Sequence, residues 1–238
     1  MSARPSEPDA RYARQIALPE IGEAGQARLR QARVLIVGVG GLGSPVSLYL
    51  AGAGVGHLGL MDADVVSVSN LQRQILYTEA EVGRLKVDCA ARRLHALNAD
   101  AHIETYPFRL DRENAAGLIA RYDMVADGCD NFATRYVLSD VCAALHIPYI
   151  YGAIQGFEGQ VSVFCHGSRP KTYRDLYPDE AAMSRIAADP SVIGVTPGIV
   201  GCAIANEALK LLTGYGHPLS GKLWTIDLRT METYTLDI

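Results

Sequence analysis

The sequence predicts an α/β fold: a Rossmann-like, doubly wound, mostly parallel sheet with antiparallel strands at its C-terminal end. Three observations predict it. Short apolar runs alternate with helix-length segments through residue 153, the pattern of a parallel sheet covered on both faces. A GxGxxG loop directly follows the first of those runs. Two short strand-like segments, 222–227 and 232–236, close the chain as a pair. At 238 residues the chain fits a single nucleotide-binding domain, 1–238, with an N-terminal helical arm at 8–32 and a long crossover loop at about 166–195.

Each element follows from its residues. Residues 33–37 are a short buried strand, 42–53 a helix stopped by Gly54, and 57–61 the second strand. Residues 83–98 form a helix with Val87, Ala90, Ala91, Leu94 and Leu97 on one face. A strand spans 101–105. Asp111 caps a helix running through Tyr122, packed by Ala115, Leu118 and Ile119. The strand 123–127 is followed by a helix at 131–145, closed by Pro148, and a strand from Tyr149 to Ala153. Residues 160–164 alternate as an antiparallel or edge strand. Residues 166–195 have no period and three prolines, so a loop is expected; loops this long in a compact domain are usually functional or disordered. Thr196 and Pro197 start a helix as N-cap and first residue. That helix reaches about Thr213, stops at Gly214 and is buried, being apolar nearly all round from Ile199 to Ala205.

Composition excludes several function classes. Hydrophobic residues are 49% and charged residues 20%, so the chain is globular. A formal net charge of −4 offers no polycation for nucleic acid or an anionic membrane. Five scattered cysteines with no CxxC pair imply no disulfide framework and a reducing compartment. Residues 1–14 carry no apolar run, so no signal peptide is expected and the location is cytoplasmic. Residues 34–61 lack Lys, Arg, Asp and Glu, but eight glycines and Pro45 make them a strand, loop, helix and strand rather than a membrane span.

The chemistry-bearing residues cluster where strands end. Gly38, Gly40, Gly41 and Gly43 build the glycine loop: a tight turn, close approach of a phosphate to backbone, and close helix–strand packing. Its bland alternative is a tight turn alone. Asp62 ends the second strand, where a carboxylate accepts the ribose hydroxyls; Asp64, two residues on, is placed in the same site. These residues fit NAD, FAD or ATP equally. The segment Ser69, Asn70, Leu71, Gln72, Arg73, Gln74 separates the options, because a dehydrogenase normally runs straight on to its next helix. Arg73 offers a bidentate fork for phosphate, and Lys86 reaches back to the same phosphates, although an Arg and a Lys are more often solvated charges. Asp130 and Asn131 follow the strand 123–127, where Asp130 can hold Mg²⁺ against a triphosphate, cap the next helix, or do both.

Five motifs in order then carry a resemblance: RYARQIALPEIGEAGQARL from Arg11, the GVGGLGSP loop, SNLQRQIL, GRLKVD around Lys86, and DGCDNFATRY from Asp127. They resemble the ThiF/MoeB/HesA family of bacterial adenylyltransferases, relatives of ubiquitin-activating enzymes, over residues 11–160 and again over 196–214. The resemblance implies MgATP and a small ubiquitin-fold sulfur carrier ending in Gly-Gly. The carrier's carboxylate attacks the α-phosphate to give an acyl-adenylate and pyrophosphate, and a separate sulfur donor protein then makes the thiocarboxylate. It also implies a homodimer in which Arg14 reaches the neighbouring subunit's ATP. Catalytic roles fall to Arg14, Arg73, Lys86 and Asp130. The expected carrier is that of thiamine thiazole synthesis, with the molybdopterin synthase small subunit second. An NAD-dependent dehydrogenase leaves Arg73, Lys86 and Asp130 unexplained, and the intact charged set argues against a non-catalytic scaffold that only binds a ubiquitin fold.

The chain departs from the family in two places. Many relatives hold structural zinc with two CxxC pairs, the first in a segment like CYRCLFPE. Here Thr172 and Asp175 stand at those cysteines, and no cysteine follows Cys202, so no zinc is expected. Relatives often carry a crossover-loop cysteine that bonds the carrier; this chain has none between Cys165 and Cys202. Cys165, read in a strand, and Cys202, read in a buried helix, are expected to be packing residues.

Overall fold

The computed structural model describes residues 10–186 and 189–238. The first two residues of the expected arm, and residues 187 and 188 of the expected crossover loop, lie outside them. One eight-stranded sheet runs in the order β3-β2-β1-β4-β5-β6-β7-β8. Its strands are β1 (Arg33–Val37), β2 (His57–Met61), β3 (His102–Tyr106), β4 (Met124–Asp127), β5 (Tyr149–Gln155), β6 (Glu158–Phe164), β7 (Lys222–Asp227) and β8 (Glu232–Asp237). The first five are parallel and the last three join antiparallel. Residues 160–164 lie in an interior strand, not at an edge: β6 pairs with both β5 and β7.

Strand β1 shows why the sheet is covered on both sides. Val34 and Ile36 enter one apolar cluster with Leu29, Val46, Leu50, Val200 and Ile204. Leu35 and Val37 enter the opposite cluster with Val125, Tyr149, Tyr151, Phe164 and Tyr173. Full burial of each such side chain stabilises by roughly 1.5–3 kcal/mol. The first face is packed by α2 (Gly22–Gln31), α3 (Gly43–Ala53), α4 (Lys86–Leu97) and α9 (Val195–Thr213), the second by α5 (Ala115–Ile119) and α6 (Phe132–Leu145). Among the described residues α9 is the helix long and apolar enough to cross a membrane, and it packs instead on α3 and strands β5 and β6.

Several boundaries move for local reasons. Helix α4 starts at Lys86 because the amides of Gly83 and Lys86 bond back to the carbonyls of Val66 and Asp64. On its apolar face Leu97 is exposed. Strand β3 is shifted on by one residue from the expected 101–105. The helix expected through Tyr122 ends at Ile119. Asp111 caps only its leading turn, accepting from the amides of Glu113 and Asn114. Tyr122 turns inward to meet the Tyr106 hydroxyl at 2.8 Å. Helix α9 begins at Val195 after Gly194, and Thr196 does not cap it: the Thr196 hydroxyl donates to the carbonyl of Gly156.

The crossover is more ordered than its sequence suggests. It contains two one-turn helices, α7 (Tyr173–Leu176) and α8 (Glu180–Met183). Thr172 and Asp175 form a reciprocal cap at the start of α7: the Asp175 carboxylate accepts from the Thr172 amide and hydroxyl, each at 2.8 Å. The buried Tyr173 ring then packs against Tyr136, Tyr151, Phe164 and Tyr177. Among the described residues no three His, Cys, Asp or Glu side chains come together as a metal-holding group. Asp175→Ala should therefore cost about 1 kcal/mol in a urea titration. Treatment with a strong zinc chelator should leave the melting temperature of the unmodified chain unchanged, and a fall would reveal a metal staple.

Candidate functional site

The sheet order reverses direction at β1, with β2 on one side and β4 on the other, so a crevice opens at the carboxyl ends of β1 and β4. Two turns meet there. A Cβ on Gly43 would lie 2.0 Å from the Gly38 carbonyl oxygen, and one on Gly128 would lie 2.1 Å from the same atom. Gly38 itself has φ +87°, a conformation that favours glycine. Residue 39 is fixed at both ends of its backbone: its amide donates to Asp62 Oδ2 at 3.0 Å, and its carbonyl accepts from the buried Tyr77 hydroxyl at 2.7 Å. The next amides, those of Gly40, Gly41 and Leu42, have no acceptor among the described residues. They form a fixed set of donors facing the crevice, the arrangement that binds a phosphate.

The expected charges surround this loop. Asp62 accepts from the Val39 and Asp64 amides; burial raises its pKa, against the pull of Lys86. Lys86 is buried. Its ammonium lies 3.1 Å from Asp64 and 4.0 Å from Asp62, so this lysine is held between two carboxylates at the second strand's end. Residues 69–74 overlap a single tight turn, Val68–Asn70, and continue beyond it. There Asn70 Oδ1 accepts from the Ser67 amide, and Arg73 donates to the Ser69 carbonyl at 3.0 Å. A Cβ on Gly41 would lie 3.7 Å from Arg73 Cγ and 3.2 Å from Pro197 of α9, which places both against the glycine loop. The exposed Gln72 and the half-buried Leu71 complete the segment, with the Gln72 carbonyl packed on Gly194.

The structure reassigns one cap. Asn131, not Asp130, caps α6, accepting from the Thr134 amide at 2.9 Å. Asp130 is left exposed, with no hydrogen bond or ion pair among the described residues. A carboxylate of this kind, next to a phosphate-binding loop, fits a hard divalent cation that takes its other ligands from phosphate and water. Arg14 is not brought to the crevice. It sits on α1 (Ala13–Ile16), where Gln15 donates to the carbonyl of Ala53, the last residue of α3. The glycine loop is at the other end of that helix, roughly 15 Å away for 11 residues.

Four residues of the site had no role in it assigned from the sequence: Tyr77, Gly128, Arg135 and Pro197, the last read only as a helix start. Gly128 was the most accessible of them, as a glycine directly after a strand end. Beside Asn131 a groove of about 440 Å³ opens along β5 and β6, lined among others by Phe132, Arg135, Tyr151, Gln160 and Tyr177. Gln160 ties its floor by donating to the hydroxyls of Tyr151 and Tyr177.

No cysteine offers a ready nucleophile. Cys165 lies one residue beyond β6, with φ +57°, and Cys202 is half-buried rather than fully buried. Burial pushes the Cys165 thiol up to about 12 and raises those of Cys89, Cys129, Cys142 and Cys202.

Comparison with known proteins gives the geometry a context. Residues 12–238 match the model of the ThiF family. The chain is 47% identical over 223 residues to a sulfur carrier protein adenylyltransferase of Thermus thermophilus, aligning over 91% of its own length and 82% of that protein. It is 42% identical to the probable adenylyltransferase/sulfurtransferase MoeZ of Mycobacterium tuberculosis, spanning all of its own length and 62% of that protein. It is 43% identical to the probable molybdopterin-synthase adenylyltransferase of Porphyra purpurea, covering 93% of its own length and 59% of that protein. Among solved structures, PaaA superposes with a TM-score of 0.82 at 26% identity, over 100% of this chain and 76% of that one. Escherichia coli MccB with ATP reaches 0.84 at 23% identity, over 98% and 73%, a likeness of fold.

The glycine interlock is directly testable. Gly128→Ala should weaken binding of a non-hydrolysable ATP analogue by at least about tenfold in calorimetry, because the two turns must separate to admit the methyl group.

Proposed function

The chain belongs to the ThiF family, and on that premise we propose that it is an ATP-dependent adenylyltransferase for the C-terminal carboxylate of a ubiquitin-fold sulfur carrier. One observation carries the reading. The interlock of Gly38 and Gly128 sets the unpaired amides of Gly40, Gly41 and Leu42 and the unpartnered carboxylate of Asp130 in the same crevice as Lys86 and Arg73. A dehydrogenase needs none of these charges.

The chemistry follows from charge. A carboxylate must approach a phosphate although both are anions, so the site must supply positive charge and in-line placement. The loop amides and Asp62 hold the phosphates and the ribose. Arg73 and Lys86 face the phosphate charge. Asp130 would hold a magnesium ion, which supplies further positive charge to the phosphate oxygens when bound. A carrier oxygen then bonds to the α-phosphorus as its bond to the bridging oxygen breaks, and pyrophosphate leaves with that electron pair. The nucleophile comes with the substrate, in keeping with the raised thiols. We assign the carrier's Gly-Gly tail to the groove along β5 and β6, which begins at Phe132, two residues after Asp130. We place the reaction in the cytoplasm and in a homodimer, with sulfur supplied by a separate donor protein. The thiazole carrier of thiamine synthesis remains the first substrate to test and the molybdopterin synthase small subunit the second; the Porphyra relative's name favours the second.

One of the two purified carriers should support ATP–pyrophosphate exchange and so identify the substrate, and loss of its last two glycines should abolish the exchange; no exchange with either intact carrier overturns the reading. Asp130→Ala should lower exchange at least about a hundredfold with an unchanged melting temperature. Arg14→Ala should be equally inactive if the arginine acts across the dimer. Mixing the two inactive variants should then restore about a quarter of wild-type activity, since each mixed dimer contains one site with both residues intact.

A further inference from the structure

Beneath Asp130 lies a buried ion pair for which the transfer chemistry itself has no use. Asp127 ends β4 with no exposed surface, and the side chain of Arg135 is 8% exposed. Arg135 Nε donates to Asp127 Oδ2 at 3.2 Å; its Nη2 donates to the Cys129 carbonyl at 2.8 Å and the Gly152 carbonyl at 3.2 Å. Asp127 accepts three more bonds: from the Tyr149 hydroxyl at 2.6 Å, the Cys129 amide at 2.9 Å and the Cys129 thiol at 2.7 Å. Burial, aided by Asp127, keeps that hydroxyl and thiol protonated, so both remain donors. A buried charge pair seldom stabilises a fold more than apolar residues of the same volume. What this pair adds is direction. It grips Cys129 at both ends, the amide through Asp127 and the carbonyl through Arg135.

Cys129 stands between Gly128, locked against Gly38, and Asp130. We infer that Asp127 and Arg135 are positioning residues for adenylyl transfer, holding the peptide before Asp130 so that its carboxylate stays at the phosphates rather than sampling solvent. Arg135 also lies over the Tyr151 ring, 5.5 Å from its centre, and lines the groove beside Asn131. One side chain therefore joins the Asp130 turn, strand β5 and the groove. The inference rests on the adenylyltransferase reading.

The double variant Asp127→Asn/Arg135→Met tests it, because it leaves no lone buried charge. Its melting temperature should fall by only a few degrees. Its affinity for a non-hydrolysable ATP analogue, measured by calorimetry, should stay within about twofold of wild type without magnesium and fall about tenfold with it. In exchange assays kcat should drop at least about thirtyfold while KM for the carrier holds. A folded variant with wild-type magnesium dependence and kcat overturns the inference. If the double variant does not fold, Tyr149→Phe removes a single donor to Asp127 and should lower the magnesium-dependent affinity about threefold; no change in that affinity overturns it equally. A wild-type protein inactive with every carrier would sink the parent reading instead.

Discussion

Two backbone segments converge on the carbonyl oxygen of Gly38 while a third takes its amide, and the site depends on that convergence. The first turn of α3 reaches it through Gly43, and the turn after β4 reaches it through Gly128. Neither approach leaves room for a methyl group. The Gly38 amide is meanwhile taken by the Met61 carbonyl, which ties the same residue to the end of β2. Strand ends that carry Asp62, Gly38 and Asp127 are thereby clamped into one rigid unit. Donors fixed before the ligand arrives need no reorganisation when charge develops.

The electrostatics are built on that frame with unusual economy. The chain is acidic overall, and its site holds three carboxylates, Asp62, Asp64 and Asp130, against Lys86 and Arg73. Two of the three are already engaged. Asp62 holds the Val39 amide, and Asp64 holds the Lys86 ammonium at 3.1 Å. The lysine therefore enters the site desolvated but paired, which keeps its charge in place without a ligand. The third carboxylate, on Asp130, has no such partner among the described residues, and this asymmetry singles it out as the group free to meet a cation.

Much of this was legible in the sequence because it is written locally. The glycine loop, the strand before it and the stop at Gly54 follow from steric rules that act over a few residues. Arg73 and Asp130 were singled out by type and by their place after strands, and Lys86 by its place at the start of the following helix. Their partners were not, because Asp64 and Lys86 stand 22 residues apart and no short-range pattern links them. Tyr77 looks like an ordinary core aromatic until its hydroxyl is seen on the Val39 carbonyl. The crossover read as loop because α7 and α8 are one turn each, too short to show a period. Its order comes from the Thr172–Asp175 cap and from Tyr173 in an aromatic cluster, both of which need the third dimension.

The position of Arg14 completes the logic. Its helix is anchored at the opposite end of α3 from the glycine loop, through Gln15 and Gln26 on the Ala53 carbonyl and Tyr12 against Gly54. An arginine side chain extends about 7 Å from its Cα, and the separation is roughly twice that. Within one chain Arg14 therefore does not reach its own phosphates. Either it is a surface arginine or it serves a second copy, and only the second role would make a site that is complete in the dimer alone. Such an arrangement would couple catalysis to assembly: the Arg14 charge would join those of Lys86 and Arg73 only when two folded chains meet. The anchoring of α1 by the Gln15 hydrogen bonds suits that role, because an arginine delivered across an interface must be aimed by its own subunit.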